Sequence, residues 1–251
     1  MIKNKLMSRK IALLLLSICT ISFAFTSKRK ESAPNGFAVV ELFTSEGCSS
    51  CPPADALVAR IEKENQDRPV YILAYHVDYW DRLGWKDTFS NRIFSQRQNQ
   101  YAKWLNLSSV YTPQIVVNGS REFVGSEEKT LRGAITSSLS EKGKAKLAIS
   151  ISGQSTILNY QINQPTLGYN LLVAVITPNA SNKIERGENK GRTLSHVQIV
   201  RNLENFRLNG KDKGSVDFLP IRGIQQGNAE IIALLQNEKT GQITAAAKLK
   251  F

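Results

Sequence analysis

The stretch Val39-Val-Glu-Leu-Phe-Thr-Ser-Glu-Gly-Cys-Ser-Ser-Cys-Pro-Pro-Ala-Asp55 constrains the fold more than any other part of this 251-residue chain. An apolar run stops at Cys48 and Cys51. Pro52 and Pro53 follow, and then Ala54, Leu57, Val58 and Ile61 recur at helical spacing. Proline is tolerated in the first helical turn, where its missing N–H would have had no partner. The stretch therefore reads as strand, CxxC, helix. Two thiols at the mouth of a helix suit thiol–disulfide exchange, in which one thiolate attacks a partner and the second thiol resolves the mixed disulfide. A helix N-terminus favours a thiolate, pulling a cysteine below its free pKa of about 8.5. We read Cys48 as the nucleophile and Cys51 as the resolving thiol.

The first residues are read as a leader. Lys3, Lys5, Arg9 and Lys10 precede an apolar run, Ile11 to Phe25, that is short for a membrane span, and Ser22-Phe-Ala24 offers small residues for cleavage. Residues 1–24 are expected to be a signal peptide and 25–36, polar and rich in breakers, a linker. Acylation at Cys19 is the alternative, against which stands the bulk of Ile18. An exported chain, periplasmic or secreted, can hold a disulfide. With the leader removed, Cys48 and Cys51 are the only thiols. The net charge of +12 is not read as a nucleic-acid signature in an exported protein. It fits either contact with acidic envelope surfaces or a solvated surface without a partner.

Patterning along the chain supplies the rest of the fold. Phe37 to Thr44 and Val70 to Val77 are near-continuous apolar runs, the mark of strands buried on both faces. With the helix between them they form a parallel βαβ unit. A helix is predicted from Phe89 to Leu105, with Ile93, Phe94, Tyr101 and Trp104 inward. Thr112-Pro113 opens a strand, Gln114 to Asn118. Asn118-Gly119 is a hairpin turn and Arg121 to Val124 returns antiparallel. Ser126 is the predicted cap of a helix ending near Gly143. The order β-α-β, α, β-β-α over residues 37–143 is that of a thioredoxin-like domain. From Lys144 to Phe251 short alternating runs predict a smaller antiparallel β-sandwich-like domain.

Side chains at the carboxyl ends of parallel strands share one crevice. Cys48 follows the first strand, His76 ends the second, and Pro113 begins an antiparallel neighbour, so the three belong on one rim. Thr112-Pro113 resembles the cis-proline loop of thioredoxin-fold enzymes, and the resemblance implies that Thr112 presents backbone atoms to an incoming chain. Together with the CSSCPPAD run, the motifs Val77-Asp-Tyr-Trp-Asp-Arg-Leu-Gly-Trp-Lys-Asp87, Tyr111-Thr-Pro-Gln114 and Gly191-Arg-Thr-Leu-Ser-His196 resemble an exported bacterial thioredoxin-like family of unknown function. That resemblance implies fold and envelope location and supplies no substrate. Gly47 replaces the tryptophan that precedes the cysteines in thioredoxins, and Leu42 stands where they bury an aspartate.

The expectation is thus an exported thiol–disulfide oxidoreductase acting on protein or small-molecule thiols, with Cys48, Cys51, Thr112, Pro113 and His76 at its site and no cofactor or metal. His76 is the candidate for proton transfer. The competing class is a noncatalytic envelope binding protein in which the cysteines form a structural bridge or, with His76 or His196, a metal pair. Against a purely structural bridge, a four-residue loop removes little unfolded-state entropy. Asp78, Asp81 and Asp87 are read as loop and cap carboxylates. The Asn189–His196 loop either closes a hairpin, the reading favoured, or folds over the rim. Trp80, Trp85 and Trp104 are read as packing for their insert, the alternative being an aromatic wall beside the disulfide that would suit an unfolded chain.

Overall fold

The computed structural model describes residues 36–141, 145–151, 156–219 and 228–251. The expected signal peptide, Cys19, nearly all of the linker and the boundary at residues 143–144 lie outside them. Among the described residues no helix is long and apolar enough to cross a membrane.

The first strand, β1 (Ala38–Thr44), is buried at all seven positions. It pairs in parallel with β2 (Val70–His76) and antiparallel with β3 (Gln114–Val117). Its side chains divide by the two-residue period of a strand. Ala38, Val40 and Leu42 pack on α1 (Pro52–Glu64) and α3 (Glu128–Ser140), against Leu57, Ile61, Leu131 and Ile135. Val39 and Phe43 face the other way, toward Phe94 and Tyr101 of α2 (Arg92–Trp104). A layer on each face is why this segment reads as unbroken apolar sequence.

One residue breaks that run. Glu41 is fully buried on the α2 side, where its carboxylate accepts from Arg97 Nε at 2.7 Å and from the Tyr101 hydroxyl. Arg97 also donates to Tyr101 and to Gln236 Oε1. Burying a carboxylate is costly unless it is paired and hydrogen-bonded, and here it is both. Arg97 and Gln98 thus occupy the inner face of α2, while Ile93, predicted to be inward, is 43% exposed. The predicted cap at Ser126 also shifts: Glu127 precedes α3, without a side-chain cap hydrogen bond. The Asn118-Gly119 turn forms as predicted. Both residues have positive φ, and β4 (Arg121–Val124) pairs with β3.

The second half is arranged differently from the expected separate sandwich. It contributes β5 (Leu147–Ile151), β6 (Ile157–Ile162), β7 (Tyr169–Lys183), β8 (Thr193–Arg207), β9 (Lys213–Asp217), β10 (Glu230–Asn237) and β11 (Ile243–Lys250). Four of these extend the first sheet, giving one eight-stranded mixed sheet in the order β11-β10-β7-β8-β2-β1-β3-β4. The seam is a short parallel pairing of β2 with β8, Ala74 against Ile199. The other three strands form a second sheet, β5-β6-β9. It covers one face of β7 and β10 through Leu171, Val173, Val175, Ile231 and Ala233, while Leu172, Ala174, Ile176 and Ile232 face the α2 layer. A sandwich exists, but one of its layers is continuous with the N-terminal sheet, and the described residues cluster as one compact unit.

Candidate active site

Beyond β1 the chain turns sharply, Cys48 N–H donating to Ser45 O at 3.2 Å. Cys48 and Cys51 form a disulfide with Cα atoms 5.4 Å apart. Ser49 and Ser50 between them are exposed, yet neither cysteine has any accessible surface. Cys51 stands at the N-cap of α1, and Pro52 and Pro53 open the helix. Prolines carry no N–H, so two donors usually free at a helix start do not exist here. The helix end can therefore favour a thiolate through its dipole, with fewer direct hydrogen bonds than usual.

The Thr112–Pro113 peptide bond is cis, as the resemblance implied. The loop lies against the start of α1, with Gly125 wedged between them. A Cβ at Gly125 would meet Pro113 Cβ at 3.0 Å and Ala54 Cβ at 3.2 Å. Trp80 ties the rim together. Its indole donates to Thr112 Oγ1 at 2.8 Å, and its Cβ lies 3.2 Å from where a Cβ on Gly47 would be. Trp85 also belongs to this rim, donating to Glu46 Oε2 at 2.8 Å, whereas Trp104 bonds to Glu238 O, against the turn at Gly241.

His76 is fully buried, with Nδ1 2.6 Å from Asp87 Oδ2. Asp87 accepts the Phe89 N–H as a cap carboxylate would, but it also accepts the Glu46 N–H at 2.8 Å and is itself buried. Burial pushes the Asp87 carboxyl up. His76 and the two amide donors outweigh that and hold it below the usual carboxylate range. The His76 ring packs edge-on against His196 of β8, centroids 4.7 Å apart. His196 lies 3.4 Å from both Asp55 Oδ1 and Glu46 Oε1. Asp55 also accepts from Thr44 Oγ1 at 2.9 Å, and Glu46 from Asn182 at 2.7 Å. Burial would lower the His196 pKa, but the two carboxylates raise it to about 9, so the imidazole is cationic at neutral pH.

Two imidazoles and three carboxylates thus form a buried network touching both sides of the CxxC loop, at Glu46 and Asp55. Of these only His76 was a sequence-predicted site residue. Asp55, one turn beyond Cys51, carried a local signal, a carboxylate on the apolar side of α1. The approach of His196 from 141 residues away along the chain was open only as an alternative, a metal pair with the cysteines or a loop over the rim, and no local signal selected it, because it depends on the β2–β8 seam.

The β7–β8 hairpin turns at residues 184–192, earlier than the Asn189–His196 loop read from sequence, whose last four residues belong to β8. Its tip both closes the hairpin and bonds to the CxxC loop. Asn189 is 1% exposed, and its Nδ2 donates to Glu46 O and Cys48 O, each at 2.9 Å. Its Oδ1 accepts from Arg192 at 2.8 Å. Every polar atom of that side chain is engaged. Beside it the Glu188 carboxylate accepts the Ser49 N–H at 3.1 Å, and hydrogen bonding from the Ser49 side chain, with that from its backbone, lowers the Glu188 pKa.

The fold is shared with a crystal structure of an Agrobacterium tumefaciens protein, 27% identical, with a TM-score of 0.68 over 88% of this chain and 96% of that one. A domain of the Porphyromonas gingivalis outer membrane lipoprotein Omp28 also matches, at 12% identity and a TM-score of 0.23, over 44% of this chain and 90% of that one. Comparison with curated proteins finds no match. The model of a family described as protein of unknown function (DUF1223) matches residues 39–236, and the chain belongs to that family.

Proposed function

We propose that this protein is an exported thiol–disulfide oxidoreductase built on a thioredoxin-like scaffold, with the Cys48–Cys51 pair as its redox centre. The observation that carries the reading is the juxtaposition of that disulfide, at the N-terminus of α1, with the cis Thr112–Pro113 loop across Gly125. In the reduced protein the Cys48 thiolate attacks a partner disulfide. A bond forms from Cys48 Sγ to one partner sulfur, and the other leaves as a thiolate and takes a proton. Cys51 then gives up its proton, and its thiolate attacks Cys48 Sγ. The internal disulfide forms and the second partner sulfur departs. The partner disulfide is reduced and the dithiol oxidised, and the reverse sequence oxidises a partner dithiol. Thr112 would hold the partner backbone, and His76 would be the candidate for proton transfer.

The complete burial of both cysteines favours a second reading, a structural bridge in a noncatalytic envelope binding protein. The thiol–disulfide midpoint of residues 27–251 separates the two. Exchange enzymes fall between about −120 and −270 mV, whereas structural bridges lie below about −300 mV. A midpoint in the upper range, with exchange abolished in Cys48→Ser, is expected. A bond still closed below −300 mV would overturn the enzyme reading.

A further inference from the structure

A disulfide with no accessible surface cannot be attacked as it stands, because the incoming sulfur must approach along the S–S axis. Ser49 and Ser50 are open to solvent on one side. On the other, the hairpin tip grips the same loop twice. Asn189 spans from Glu46 O to Cys48 O, and Glu188 holds the Ser49 N–H. The tip is itself anchored, since a Cβ on Gly187 would meet Trp85 Cβ at 3.2 Å. The four-residue span from Glu46 to Ser49 thus has three of its backbone polar groups bonded to one hairpin that arrives from more than 130 residues away.

We propose that Asn189 and Glu188 are positioning residues of the exchange reaction: they clasp the loop over the disulfide, and a partner must displace the clasp to reach Cys48 Sγ. The inference deepens the oxidoreductase reading and names the partner class. A group that takes the place of Glu188 has to accept a hydrogen bond from the Ser49 N–H, and one that takes the place of Asn189 has to donate to the Glu46 and Cys48 carbonyls. An extended polypeptide carries both functions on its backbone, and a small aliphatic thiol carries neither in that arrangement. A partner polypeptide would thus lay its main chain along the loop, with its reactive cysteine over Cys48.

The test compares wild type, Glu188→Ala and Asn189→Ala for the rate of disulfide reduction by dithiothreitol and by an unfolded peptide dithiol, alongside the equilibrium midpoint. Each hydrogen bond removed is expected to raise the dithiothreitol rate by roughly threefold to tenfold. The peptide dithiol, which displaces the clasp itself, should gain less. Rates with both reagents that match wild type in the exposed-site variant Glu188→Ala would overturn the proposal. Asn189 is buried, so its variant counts only if its thermal transition remains cooperative. The outcome is independent of the oxidoreductase reading. A midpoint below about −300 mV with accelerated reduction in Glu188→Ala would sink the enzyme and leave the clasp standing, and a midpoint in the enzyme range with unchanged rates would do the opposite.

Discussion

His196 should make the stability of this protein fall on the alkaline side of neutrality. Its imidazole faces Asp55 from α1, Glu46 from the CxxC loop and His76 from β2, with Asp87 behind His76. Its pKa rises from 6.5 to about 9. A group whose pKa is raised by folding stabilises fully below its unfolded value and loses that contribution as pH climbs through the folded one. The window is therefore about pH 6.5 to 9. At 1.36 kcal/mol per pKa unit, the contribution is about 3 kcal/mol. Both ion-pair contacts are 3.4 Å, longer than a strong charged hydrogen bond, so this value is a ceiling. Urea unfolding of the oxidised protein, followed by tryptophan fluorescence at half-unit steps from pH 6 to 9.5, measures it. The wild type should lose on the order of 2–3 kcal/mol across the window. His196→Gln should start lower and stay nearly flat. Parallel profiles for the two proteins would refute the assignment.

Three further outcomes are expected. Arg97→Met leaves the buried Glu41 carboxylate without its cation and should cost about 3–5 kcal/mol in chemical denaturation; Glu41→Gln combined with Arg97→Met should recover part of that loss. Gly125→Ala places a methyl 3.0 Å from Pro113 Cβ. It should destabilise by about 1–3 kcal/mol and slow exchange by shifting the Thr112–Pro113 loop from α1, which a denaturation curve and a turnover assay would check. Gly119→Ala would meet Gly241 O, already within 2.0 Å of the added carbon, at a backbone φ of +65°; a clear fall in melting temperature is the expected reading.

Much of residues 36–141 was legible because each element there is specified locally. The β1 run is apolar at both parities of its alternation apart from Glu41, which announces a strand covered on both faces. The Asn118-Gly119 pair needs positive φ at two positions and meets it without an L-residue penalty large enough to matter. Cys48, His76 and Pro113 could be read onto one rim because a parallel β-α-β unit leaves its strand ends few places to go; in the fold Pro113 lies across Gly125 from Ala54 at the start of α1, and His76 is fully buried. The inner face of α2 was misread at Ile93 and Arg97, since periodicity ranks residues by hydropathy and takes no account of a buried carboxylate waiting opposite.

What sequence determined by itself was the strands and helices between residues 37 and 141, most of the later strands though not β9 or the full length of β7 and β8, and the two thiols at a strand–helix junction, all of which follow from spacing within a dozen residues. Only the tertiary structure decided that β8 would join β2 and fuse the expected sandwich into an eight-stranded sheet. A strand's alternation says that it has a buried face and leaves its neighbour open, because backbone hydrogen bonds are alike along every edge. That one pairing brings His196 against His76 and carries the hairpin tip, with Glu188 and Asn189, onto the CxxC loop. The buried network and the hairpin's hydrogen bonds to the CxxC loop are consequences of which edge β8 found.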